Sequence, residues 1–133
     1  MASSPAKTTK GGPVQGGERK LYTLDATGQS LGRLASEAAS ILLGKKSVHY
    51  RQNEVLPIEV VITNASKLAM TERRIANKEY THYTGYPGGL RTTSMAMMMD
   101  KKGISEVLRK TVDGMIPRNK LRKERMKRLT ITD

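Results

Sequence analysis

The chain has no cysteine, no tryptophan and no phenylalanine, and its acidic residues are outnumbered two to one by lysine and arginine. The lack of cysteine excludes a disulfide framework, a thiolate zinc site and a cysteine nucleophile. Long apolar runs are also missing: nothing approaches the roughly 20 residues needed to span a bilayer. Residues 1–17 carry no apolar core of the kind a secretory signal has, so the sequence predicts a soluble, intracellular protein. Catalytic inventory is short as well. Two histidines and twelve carboxylates fall singly along the chain. None of H-E-x-x-H, G-x-S-x-G, G-x-G-x-x-G or G-x-x-x-x-G-K-[ST] occurs, so no enzyme, metal or cofactor is expected.

What the chain does have is positive charge and the length of one ordinary domain, 133 residues. Its 24 Lys+Arg against 12 Asp+Glu give a net charge of +12 and a pI near 10.2. Such an excess favours a polyanionic partner, nucleic acid first among them. The opening 17 residues, rich in Gly, Ser, Thr and Pro, show neither helix nor strand period and read as a flexible extension. A single domain is expected over residues 18–133.

Within it, residues 20–26 read as a short strand closed by Thr27-Gly28, with Ser30 placed to cap a helix. Leu31, Leu34, Ala35, Ala38, Ile41 and Leu42 share one helical face, and Gly44 offers a left-handed stop. Lys45, Lys46, His49 and Arg51 then fall in a basic loop. The β-branched run Ile58, Val60, Val61, Ile62 predicts a buried parallel strand, and strand-helix-strand suggests a βαβ unit. Residues 64–77 read as a connection with some helix in which Arg73-Arg74 is a solvated pair, and residues 78–84 as a further strand. A helix is expected from Ser94, and another carrying Ile104, Val107, Leu108, Val112 and Met115 before Gly114 and Pro117 break it. The methionines between 95 and 99 read as core filler rather than a soft-metal site.

Two segments carry chemistry. In "YTHYTGYPGG", tyrosine rings can stack on unpaired bases, and glycines let backbone N–H groups approach an anion. The competing reading is a tight turn, with Pro87 fixing φ and Gly88-Gly89 taking unusual dihedrals beside half-buried tyrosines. The second is residues 118–128, where seven cations stand against Glu124 alone, half the net charge of the chain. It reads as a basic helix with Asn119 as cap, packed through Leu121, Met126 and Leu129. Near-single-sign charge repels itself until counterions or phosphates neutralise it, which favours nucleic-acid contact over a merely solvated face.

Four segments, "LDATGQSLGRLASEAASILLGK", "VVITNASKL", "TGYPGGLRTTS" and "VDGMIPRNKL", occur in an order that resembles the universal large-subunit ribosomal protein thirteen family, bacterial type. The resemblance covers roughly Leu21 to Leu129. It implies a three-layer α/β/α fold with a mostly parallel four-stranded sheet, no enzymatic activity, and a structural role in the large ribosomal subunit, supporting its early assembly. Implied partners are large-subunit rRNA and neighbouring ribosomal proteins, in the cytoplasmic rather than an organellar ribosome, with no membrane contact, no cofactor and no homo-oligomer. The expected RNA-contacting residues are Lys45, Lys46, His49 and Arg51; Tyr80, His82, Tyr83, Tyr86, Gly88, Gly89 and Arg91; and Arg118, Asn119, Lys120, Arg122 and Lys123. The chain departs from the family pattern at Arg122-Lys123, in "RQNEVLPIE", and in ending at Asp133 without the usual tail bearing a His-Pro-His motif. Contacts made by that tail are expected to be absent or supplied by a neighbour. The rival functional class is a free regulatory RNA-binding protein acting away from the ribosome.

Overall fold

Parallel pairing of two short strands across a helix organises the chain. The computed structural model describes residues 19–133, and the flexible extension expected over 1–17 lies outside the described residues. Strand β1 (Lys20–Asp25) leads through helix α1 (Leu31–Leu43) to strand β2 (Ile58–Thr63), with Tyr22 beside Val60 and Leu24 beside Ile62. All six residues expected on the apolar face of α1 are buried, and Gly44 ends the helix at φ 87°, where an L side chain is strained. Ser30 has the extended backbone of a cap, but its side chain makes no capping hydrogen bond. A 3₁₀ turn (Ala65–Lys67), helix α2 (Glu72–Asn77), strand β3 (Glu79–Tyr83), strand β4 (Leu90–Ser94), helix α3 (Met95–Lys102) and helix α4 (Ile104–Met115) follow. The chain closes with helix α5 (Arg122–Met126) and strand β5 (Leu129–Ile131).

The sheet has three parallel strands in the order β1-β2-β5, and β3 and β4 form a separate antiparallel ribbon. This corrects the expected four-stranded sheet. The expected third layer is not seen among the described residues either, and the topology supplies a reason. A parallel crossover is right-handed in nearly all proteins, so two successive crossovers that move in one direction put their helices on one face. Both α1 and α4 pack against the sheet and against each other. Burial follows the pleat: Ile58, Val60, Ile62 and Leu129 are buried on the helix side. On the other face Leu21 is 53% exposed, and Thr23, Asp25 and Thr130 are exposed.

Two expectations about the later helices are also corrected. Gly114 does not break α4, which runs through to Met115, and buried Ile116 continues the apolar stripe. Met115 is 39% exposed, and its sulfur accepts the Ser36 hydroxyl at 3.3 Å. The expected long basic helix is the five-residue α5, capped by Leu121 rather than Asn119. The chain then extends into β5, where Leu129 pairs with Val60, because the sheet edge offers backbone partners such as the Val60 N–H to the Arg128 carbonyl at 2.9 Å. Ser94 does start α3, its hydroxyl accepting the Met97 N–H at 3.3 Å, and Met95 and Met98 are buried as core filler.

At the carboxyl ends of β1 and β2, one oxygen of Asp25 accepts the Asn64 amide (3.0 Å), the Thr27 N–H (3.0 Å) and the Thr27 hydroxyl (2.8 Å). The Asn64 bond, then the two from Thr27, hold its carboxyl below the usual carboxylate range; partial desolvation opposes them and Lys67 assists. A depressed folded pKa stabilises the fold above the unfolded value, near pH 4, and that contribution is lost as pH falls through the folded pKa. Asp25→Asn should therefore flatten the dependence of the thermal midpoint on pH below about 4 relative to the parent. Identical acid profiles for the two proteins would show that these bonds contribute nothing.

Candidate nucleic-acid interface

The cationic residues singled out in the sequence separate into two places. The first lies beyond the C-terminal end of α1, where Gly44 turns the chain into the basic loop. A Cβ at Gly44 would fall 2.6 Å from Leu56 Cδ1 and in ordinary contact with the Tyr50 ring at 3.7 Å, so the glycine lets the Leu56 side chain fold back over the helix end beside Tyr50. Lys45, Lys46, His49 and Arg51 are exposed on this loop. Lys46 pairs with Glu37 at 3.1 Å and Arg51 with Glu54 at 3.3 Å, whereas Lys45 has no carboxylate partner among the described residues.

A buried arginine ties the C-terminal basic segment to this loop. Arg125 is 2% exposed, and its Nη2 donates to the carbonyls of Gln52 (3.4 Å) and Glu54 (3.3 Å). One of the seven cations counted in that segment is therefore a structural strut. Arg122 pairs with Asp113 at 3.3 Å. Arg118, Lys120 and Lys123 are exposed and make no ion pair among the described residues. Asn119 accepts the Leu121 N–H at 3.1 Å and so shapes the turn into α5.

The second place is the β3-β4 ribbon, which meets the body near the N-terminal end of α1. Thirteen residues of helix separate the two places, a span of about 20 Å. The Met95 N–H to the Lys78 carbonyl (2.8 Å) closes the base of the ribbon. Beyond Tyr80, which packs partly on the core, every β3 residue is exposed, and at the tip Tyr83, Tyr86 and Leu90 are 60%, 76% and 64% exposed. Strand alternation divides the faces: Tyr83 stands opposite Leu90 on one, and His82 opposite Arg91 on the other. The turn takes the pattern of a type II turn, with Pro87 second, Gly88 third at φ 71°, and the Gly89 N–H bonded to the Tyr86 carbonyl at 3.0 Å. Gly88 has open space around it. Gly89 does not: a Cβ there would collide with the Thr84 hydroxyl and lie 2.8 Å from the Tyr86 carbonyl. The expected unusual dihedral thus falls on Gly88 alone, and Gly89 is required by close packing.

Sequence reasoning missed Arg74, Lys78 and Lys110, which gather around Tyr80. The ammonium groups of Lys78 and Lys110 stand 5.6 and 5.3 Å from the ring centroid. No local signal marks them, since α2, β3 and α4 bring them together only on folding. Burial raises the pKa of the Tyr80 phenol, with Arg74 pulling the other way, so its hydroxyl stays a neutral donor at physiological pH.

Among the described residues no three acidic or imidazole side chains gather to hold a metal, and no helix is long and apolar enough to cross a membrane. Comparison with known proteins gives one answer throughout. A family model described as Ribosomal protein L13 matches residues 19–132. The large ribosomal subunit protein uL13 of Geobacter sulfurreducens is 39% identical over 125 residues, covering 94% of this chain and 87% of that protein. Those of Rubrobacter xylanophilus and Clostridioides difficile are each 42% identical over 114 residues, 86% of this chain and 79% of theirs. A match running from the first described residue almost to the end takes in the sheet, the ribbon and both basic places together, and the chain belongs to the ribosomal protein L13 family.

Proposed function

We propose that this protein is a constituent of the large subunit of a bacterial-type cytoplasmic ribosome, where it binds large-subunit rRNA, adjoins other ribosomal proteins and supports early assembly. Its family is one of ribosomal structural proteins rather than enzymes. The observation that carries the RNA reading is the outward set Lys45, Arg118, Lys120 and Lys123, without an ion pair among the described residues, on a chain of net charge +12. Cations left without carboxylates on a rigid frame are held ready for phosphates, whose neutralisation releases condensed counterions and drives binding. Contacts of this kind fix position and orientation rather than read bases. The exposed tyrosines of the ribbon add ring faces on which unpaired bases can stack.

Fractionation tests the proposal. The protein should sediment with large subunits and stay with them through a high-salt wash that strips loosely held factors. A predominantly free pool, with RNA bound only outside the subunit, would favour the regulatory alternative.

A further inference from the structure

The half-open cavity at Tyr80 has a volume of about 210 Å³, with buried Leu31 and Met95 at its base and the exposed Arg74, Lys78 and Lys110 among its lining residues. Its charged lining is Arg74, Lys78 and Lys110, with no acidic residue among them, and none of the three makes an ion pair among the described residues. Two ammonium groups on one tyrosine ring repel each other, and the ring quadrupole offsets only part of that cost. A multivalent oxyanion between them would offset the rest.

Gly114 points the same way. It sits in the last turn of α4, one residue before Met115, where glycine is still worse than alanine, by up to about 1 kcal/mol. No positive φ requires it, and a Cβ there would meet nothing within 4 Å. Neither backbone nor packing explains the residue, but it lines the cavity, and any larger side chain would narrow it.

We propose that this cavity is a phosphate subsite, seating one RNA backbone phosphate among Arg74, Lys78 and Lys110 with the adjoining sugar against the Tyr80 ring. The volume is below the range of about 300–1,000 Å³ typical of pockets for whole small-molecule ligands, and suits a phosphate and its ester carbons. A polymer is favoured over a free phosphate by what lies alongside. His82 shares the face of Tyr80 one strand repeat further on, about 7 Å away, and stands opposite Arg91. A chain entering at Tyr80 therefore finds a further cation, Arg91, on its way along the ribbon. The choice of RNA rests on the function proposed above; the phosphate site itself does not.

The test uses the full-length, ¹⁵N-labelled protein with inorganic phosphate as the first probe. Amide shifts of Tyr80, Thr111 and Gly114 should follow one saturating curve, while those of Lys120 and Lys123 drift without saturating. Lys78→Gln with Lys110→Gln should weaken that binding at least tenfold. With large-subunit rRNA fragments the same double variant should lower the salt slope by about 1, the share of the one phosphate seated there. Gly114→Leu is the decisive variant, because it removes no charge: it should abolish phosphate saturation and lower the RNA salt slope, whereas Gly114→Ala keeps most of both. Failure of phosphate to saturate these amides, or parent-like phosphate saturation in Gly114→Leu, overturns the subsite while leaving RNA binding elsewhere intact. Phosphate saturation with no effect of either variant on RNA overturns the RNA assignment and leaves a free phosphate ester or an adventitious ion only. A parent protein that binds no rRNA fragment at all overturns the function proposed above, and with it the RNA source of this phosphate.

Discussion

Arg125→Ala should lower the unfolding free energy by about 3 kcal/mol, read as a fall in the urea midpoint at unchanged slope. The side chain is 2% exposed and ranks among the largest fully buried groups in the fold. Truncating it leaves a void between α5 and the loop before β2, and strips the Gln52 and Glu54 carbonyls of their donor. Packing should dominate, because both hydrogen bonds, at 3.4 and 3.3 Å, are longer than usual for N–H to O. The guanidinium is also poorly compensated: among the described residues its Nε has no partner and no carboxylate pairs with it. Burying a charge without a counter-charge is costly, so Arg125→Met, which keeps most of the volume and removes the charge, should lose only about 1 kcal/mol. Amide exchange in residues 45–57 should accelerate in the alanine protein, since the loop loses its link to the C-terminal segment. Equal losses in both variants would assign the stabilisation to the two hydrogen bonds instead.

How far the sequence revealed this arrangement depended on range. The face of α1 and its stop at Gly44 were legible because helix period and glycine conformation are local properties. The ribbon turn was legible for the same reason, Pro87 and Gly88 fixing two successive dihedrals. Strand β5 was not: three residues give no period, and what makes them a strand is the edge of β2, nearly 70 residues earlier in the chain. The inward turn of Arg125 was hidden likewise, since its partners lie 71 and 73 residues away. In the sequence it looked like six neighbouring cations. The expected four-stranded, three-layer fold came from resemblance alone. Among the described residues the crossovers run one way, placing α1 and α4 together and leaving Leu21 exposed on the opposite face. The site divided on the same principle. Exposed cations were found from composition, whereas the pocket at Tyr80 needed α2, β3 and α4 to be folded.

The separation of structural from free cations sharpens the expected result of removing charge. Changing Arg118, Lys120, Arg122 and Lys123 together to glutamine should reduce affinity for large-subunit rRNA about a hundredfold near 0.1 M salt and lower the salt slope by about 3. The slope should fall by three rather than four because Arg122 already faces Asp113 at 3.3 Å, and part of its charge is neutralised before RNA arrives. Arg122→Gln alone should thus change the slope by less than Lys120→Gln or Lys123→Gln, although all three remove one charge. Arg125 must be left in place, since its loss would lower affinity through the fold. Lys101 and Lys102, exposed at the end of α3, give a matched control: neutralising both slows long-range attraction but should leave the slope nearly unchanged. A quadruple variant that keeps its urea midpoint and its slope would remove this segment from the RNA interface. A control that lowers the slope as much per charge would mean that net charge, rather than placement, governs binding.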